Sequence, residues 1–361
     1  MKHMDRWNQN LDQEEQLPSV GEDPLGVLSS TRRVVEEGEY VWINREQLQA
    51  FSERWPELLG QVAGPGAAPT SALSTASVLP AGYERYHFFD GSERSVNWIL
   101  LLDALNFCFW PEKGQPRWSI TYRGEQLSGY WAEAAALTRA VEEGRPVWDA
   151  AYLRDMSREE LALIFRSEDG VEIPLFEERL SHVHEVGRVL VERFNGQFSQ
   201  AVAQAAGSAV RLVQLLVEAF PSFRDVAHYR QREVRFLKRA QICVADLHAL
   251  FRGQRWGAFS DLEQLTIFAD YKLPQVLRHF GVLEYDPSLA ERIDRQEPLP
   301  AGSEEEIEIR ATTVWACELL RQALATRGLF LKAIEIDQQL WLLSQRLPDM
   351  RPYHRTRTIY Y

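Results

Sequence analysis

The chain has 361 residues, of which 45% are hydrophobic and 25% charged, the balance of a folded protein and not of a disordered tail, a collagen-like fibre or a low-complexity scaffold. Forty Lys plus Arg against 52 Asp plus Glu leave a net charge of −12, so no broad positive field exists to gather nucleic-acid phosphates or an anionic membrane surface. The three cysteines, Cys108, Cys243 and Cys317, lie in apolar runs without zinc-type spacing, no apolar run reaches the roughly 18 residues of a membrane span, and no leader pattern is present; a cytoplasmic protein with buried thiols is expected.

In chain order, residues 1–22 are polar without a sustained period and read as an extension, disordered or left from cloning, ahead of a single mainly helical domain over 23–361. Residues 61–82 are rich in Gly, Pro, Ser and small side chains and read as a loop. Two aromatic and branched runs, 86–90 and 117–123, end at Gly91 and Gly124 and are expected to pair as a small antiparallel β element. Between them residues 94–110 are apolar nearly all round, the pattern of a buried helix, and its stripe carries Asp103 and Asn106 inward. Each of those polar groups needs a partner, either an Arg or a ligand.

Beyond Trp148 the period becomes 3.6. Ser157 and Glu160 make a capping box at a helix start, and helical stripes follow at Ala209, Val213, Leu216 and Phe220, then at Leu237, Ala240, Val244, Leu247 and Phe251, and later at Ile336, Leu340, Leu343 and Leu347. Lys238 lies next to the core stripe, where it either snorkels or binds a phosphate, while Arg235 and Arg239 are expected to tilt outward. In residues 260–281, Ser260 and Glu263 form a second capping box, Pro274 suits the first turn of a helix and Gly281 its stop, so two helices are expected to meet in a tight turn at Asp270, Tyr271 and Lys272. Asp270 reads either as a helix cap or as an anchored anion for a cationic transition state; spacing alone favours the cap. The run 304–310 reads as a charged helix start, Asp337 repeats the inward-carboxylate pattern, and the basic, Tyr-rich closing residues 351–361 read as a solvated end or a lid over an anion.

Taken together, Asn106-Phe107-Cys108-Phe109-Trp110, Lys238-Arg239-Ala240-Gln241, the string from Phe268 through Ala269-Asp270-Tyr271-Lys272-Leu273-Pro274 to Gln275, and the closing Arg357-Thr358-Ile359-Tyr360-Tyr361 resemble the queuosine-salvage family, the queuosine 5′-phosphate N-glycosidases. The resemblance covers roughly residues 23–361. It implies a mainly α, compact multi-helix enzyme, similar in its helical core to DNA glycosylases, that hydrolyses queuosine 5′-monophosphate to queuine and ribose 5-phosphate. It also implies Asp270 as the catalytic carboxylate and Lys238, Phe268 and Asp337 as substrate contacts, with Asp103, Asn106, Tyr271 and Lys272 as further neighbours. No cofactor and no metal is required.

The chemistry fits those residue types. Breaking an N-glycosidic bond builds positive charge on the anomeric carbon and ring oxygen, which a fixed carboxylate at Asp270 stabilises or traps. A departing 7-deazaguanine has no N7 to protonate, so it needs hydrogen bonds elsewhere, with Asn106 as one donor. The cationic secondary amine of queuine suits Asp337 or Asp103, the 5′-phosphate suits Lys238 and Lys272, and Phe268, Tyr271 or Trp110 can stack on the base for roughly 1–3 kcal/mol. The expected partner is thus a free nucleotide, handled by a monomer without duplex or membrane. The rival readings are a non-catalytic helical interaction protein and a glycosylase acting on nucleic acid.

Overall fold

The computed structural model describes residues 17–63 and 83–361. Among them the helices run α1 Val27–Glu37, α2 Arg45–Ala63, α3 Tyr83–Tyr86, α4 Glu93–Leu105, α5 Tyr130–Glu142, α6 Ala150–Arg154, α7 Arg158–Ile164, α8 Phe176–Phe194, α9 Phe198–Gln204 and α10 Ala209–Ala219. They continue as α11 Lys238–Leu250, α12 Lys272–His279, α13 Pro287–Asp294, α14 Glu304–Thr326 and α15 Ala333–Ser344. Three antiparallel strand pairs decorate them: β1 Val41–Ile43 with β6 Leu283–Tyr285, β2 Ser119–Tyr122 with β3 Glu125–Ser128, and β4 Val226–Tyr229 with β5 Arg232–Arg235. The protein is therefore mainly α, with no closed sheet among the described residues.

Local chemistry sets the helix starts. Ser157 and Glu160 form the reciprocal box expected at α7, Ser92, Ser208 and Ser303 cap α4, α10 and α14, and Asp286 caps α13 ahead of Pro287. Each cap satisfies backbone N–H groups that the first helical turn leaves without partners. Most apolar faces merge into one large core between Leu25 and Leu343, in which α1 packs on α14, α4 on α8 and α11, and α15 on α2 and α12, while Phe107, Cys108 and Trp110 form a small second cluster. All three cysteines are free and buried.

Several expectations are corrected. Residues 86–90 do not pair with 117–123. Arg123 and Gly124, at φ 48° and 81°, form a two-residue turn, so β2 folds back on the residues that follow it. Asp90 instead accepts hydrogen bonds from Ser92 and Ser95 at the start of α4. Of the 61–82 loop, residues 61–63 belong to α2 and 64–82 lie outside the described residues. Of the 1–22 extension, residues 1–16 lie outside them, while the carbonyls of Leu17 and Pro18 accept from Arg32.

Only one helix, α12, flanks the Asp270 turn, and Gly281 at φ 72° follows its end. Ahead of it lies a single 3-10 turn, Leu262–Gln264, and then an extended segment. The Ser260 box does not form, because Asp261 beside it accepts from Ser208 Oγ and the Ala209 N–H at 2.6 and 2.5 Å. Side chains from three helices take over the extended backbone: Gln241 accepts from the Thr266 N–H at 2.8 Å, Asp337 from the Phe268 N–H at 2.7 Å, and Arg310 donates to the Ala269 carbonyl at 3.1 Å.

Candidate active site

Helix α4 ends at Leu105, so Asn106 is its C-cap and not a helical residue, and Cys108 at φ 41° turns the chain away. Two buried arginines hold this end. Arg179 donates to the carbonyls of Leu105, Phe107 and Cys108 and pairs with Glu133 at 3.0 Å, and Arg239 donates to those of Asp103, Ala104 and Ser222. The outward tilt expected of Arg239 is wrong: it is 1% exposed, because carbonyls that a helix end cannot satisfy internally draw its guanidinium inward. Arg235 is exposed, as expected.

Helix α11 begins after Leu237, held in the left-handed region at φ 52°. Its first amide, that of Lys238, donates to Asp225 at 3.2 Å. Lys238, Ile242, Ala245, Asp246 and Ala249 fall on one face of α11, and that face walls a cavity of about 240 Å³. The opposite walls come from the extended segment ending at Asp270, from α15, and from the aromatic start of α5, where Tyr130, Trp131 and Trp341 meet edge to face.

Asn106, Lys238, Phe268, Asp270, Tyr271, Lys272 and Asp337 all line this cavity. Asp270 does cap its helix: Oδ1 accepts from the N–H groups of Lys272 and Leu273 at 2.7 and 3.0 Å. Those bonds fix the carboxylate and leave Oδ2 uncommitted among the described residues. The cap and the anchored anion are therefore compatible. Asp337 Oδ2 holds the Phe268 N–H, and Tyr271 packs on Tyr353 at 4.7 Å between centroids, with Lys272 Nζ 5.1 Å from the Tyr353 ring.

Burial raises the pKa of Asp270, although Lys238 and the two backbone N–H groups pull it down; the helix end does not outweigh desolvation. Asp337 is raised for the same first reason, and burial lowers Lys238 while Asp270 raises it. Asp103 is fully buried and does not reach the cavity. It stands behind Asp246, raised first by burial and then by that neighbouring carboxyl, with no donor at full hydrogen-bond geometry on either oxygen. Trp110 is also absent from the lining; Arg355 covers its ring at 5.5 Å.

The closing residues do not form a basic lid. Arg357 pairs with Glu112 at 3.0 Å, His354 is buried, and it is Tyr353 and Tyr361 that reach the cavity. Within the charged start of α14, Glu306, Glu308 and Arg310 are buried, not solvated. Sequence reasoning missed Asp246, Tyr130, Trp131 and Trp341. The sign available for Asp246 was its spacing of eight from Lys238, two turns along one helix face. Among the described residues no group of His, Cys, Asp and Glu is arranged to hold a metal ion.

A family model described as the queuosine salvage protein matches residues 86–361. The chain is 51% identical over 341 residues, 94% of its length and 98% of the relative's, to a queuosine 5′-phosphate N-glycosylase/hydrolase of Sphaerobacter thermophilus. Proteins of the same name from Mus musculus and Schizosaccharomyces pombe are 39% and 36% identical over 74% of this chain, covering 82% and 83% of their own lengths.

Proposed function

Because the chain belongs to the queuosine salvage protein family, we propose that it hydrolyses the N-glycosidic bond of queuosine 5′-phosphate, releasing queuine and ribose 5-phosphate. The observation that carries this reading is the joint placement of Asp270, fixed by two backbone amides, with Lys238 and Asp337 in one aromatic-walled cavity. As the glycosidic bond lengthens, positive charge grows on the sugar. A carboxylate that has no freedom to lose stabilises that state more than the neutral ground state.

The remaining roles follow from chemistry and position. Lys272, which lines the cavity with Arg117, and Lys238 face the 5′-phosphate, and Asp337 takes the cationic secondary amine of the base. Phe268 and Tyr271 stack on the heterocycle while Asn106 donates to its edge. Asp103 sets the charge balance from behind the wall. The protein works as a single catalytic domain and as a monomer, in the cytoplasm and on a free nucleotide; its acidic balance disfavours a duplex, and no described helix is long and apolar enough to cross a membrane. Incubation of the purified protein with queuosine 5′-monophosphate tests the reading: free queuine is expected, and its absence, or its persistence in Asp270→Ala, refutes the assignment.

A further inference from the structure

Asp246 also faces the cavity, although the roles above leave it unused, and a chain of hydrogen bonds behind it fixes where its proton is. The chain begins at a backbone carbonyl. His87 Nδ1 lies 2.8 Å from the Tyr83 carbonyl oxygen, which only accepts, so Nδ1 carries a hydrogen. The imidazole is buried against the Tyr83 ring, 3.6 Å between centroids, and burial pulls its pKa down to about 3, so it is neutral and Nε2 is bare. Nε2 lies 2.7 Å from Tyr130 Oη, and that bond needs the only proton Tyr130 has. Tyr130 Oη in turn lies 3.3 Å from Asp246 Oδ2. With the phenolic proton engaged at His87, this last contact is a hydrogen bond only if Asp246 supplies the hydrogen.

We propose that Asp246 is the general acid of the reaction, a neutral carboxylic acid that protonates the departing heterocycle, with His87 and Tyr130 as positioning residues that keep the proton on it. This rests on the glycosidase reading above. The groups facing Asp246 are consistent with a neutral form: Asp103 and Asp337 oppose a second negative charge, Tyr83, Tyr130 and Cys243 are uncharged, and Lys238 is the one cation among these neighbours. Burial raises Asp246 to about 7, against the pull of the Lys238 ammonium.

In the step, the bond between the anomeric carbon and the base nitrogen breaks and its electron pair leaves with the base. The Asp246 O–H bond breaks and its proton joins a ring nitrogen, so the heterocycle departs without a negative charge and Asp246 becomes a carboxylate. Tyr130 then turns its hydroxyl from His87 to that carboxylate. Water adds its oxygen to the anomeric carbon, and the proton it loses returns to Asp246.

The test compares Asp246→Asn, His87→Phe and the unaltered enzyme on queuosine 5′-monophosphate and on a ribose 5-phosphate nitrophenyl glycoside, whose leaving group needs no proton. Asp246→Asn is expected to lower kcat about 10²–10⁴-fold on the nucleotide, to stay within about tenfold on the nitrophenyl substrate and to keep its affinity for queuine. The unaltered enzyme should lose activity above about pH 7, and the Asn variant should show no such limb. In His87→Phe the freed Tyr130 hydroxyl turns to Asp246 and favours its carboxylate, so the limb should move to lower pH. Unchanged kcat in Asp246→Asn, equal losses on both substrates, or a limb indifferent to His87→Phe overturns the acid role. If Asp246→Asn does not fold, the pH profiles of the other two enzymes decide. An unaltered enzyme that releases no queuine refutes the glycosidase reading instead.

Discussion

Arg310 grips Asp225 with two hydrogen bonds of 3.0 and 2.6 Å, and both side chains are 2% exposed. The same guanidinium donates to the Ala269 carbonyl, one residue before Asp270, while Asp225 accepts the first amide of the helix that carries Lys238. One buried pair thereby registers the carboxylate and the ammonium of the cavity against each other. Replacing Arg310 by Met leaves Asp225 buried without its cation, and a loss of about 3–5 kcal/mol is expected in urea unfolding. A loss below about 1 kcal/mol would show that the pair does not hold the two segments.

Asp270→Asn separates the cap from the charge. The amide oxygen still accepts from Lys272 and Leu273, so stability should stay within about 1 kcal/mol of the unaltered protein. On the proposed role of the anion, turnover should fall by about 10²–10³-fold or more. A large fall in melting temperature together with retained queuine release would reverse that assignment.

Lys272→Ala should raise KM for queuosine 5′-monophosphate about 10–100-fold, the worth of a hydrogen bond to a charged group, and leave the KM of the unphosphorylated nucleoside nearly unchanged. Equal effects on both substrates would move the phosphate elsewhere.

His354 is buried, with burial and then Arg310 lowering its pKa to about 3. A folded-state pKa below the unfolded 6.5 means that the unfolded chain binds the extra proton, so the stability contribution is whole above pH 6.5 and is lost as pH falls towards 3. The gap in unfolding free energy between the unaltered protein and His354→Phe should therefore shrink on acidification, by at most about 1.4 kcal/mol per pH unit. Parallel stability curves would show that His354 protonates freely in the folded state.

Helices α6 and α8 touch at Gly187, where a Cβ would lie 2.1 Å from the Arg154 backbone nitrogen. Backbone cannot yield as a side-chain tip does. Gly187→Ala should cost about 2 kcal/mol or more, read as a lower urea midpoint.

Local signals made the helices readable: the Ser157–Glu160 box, the stripes of α10, α11 and α15, and Asp103 and Asp337 on inward faces follow from spacing along the chain. What stayed hidden depends on partners far away in sequence. Arg239 looks like a surface residue until the end of α4 supplies carbonyls, and Glu308 looks solvated until the N–H groups of Glu39, Tyr40 and Val41 reach it. The extended stretch before Asp270 looked helical because Ser260 and Glu263 have the spacing of a cap, a preference overridden once Gln241, Asp337 and Arg310 take its backbone groups. The spacing from Lys238 marks only the face that Asp246 shares; its meaning comes from His87 and Tyr130, 159 and 116 positions away (246 − 87 and 246 − 130).

Trp131 and Trp341, two of the eleven indoles in the chain, lie 5.5 Å apart at 63° in the cavity wall, where the proposed heterocycle would meet them. Their ultraviolet emission is thus a label-free gauge of occupancy: titration with base alone should quench it, and replacing both by Phe should silence the response while leaving the glow of the other nine indoles (11 − 2) as an internal standard.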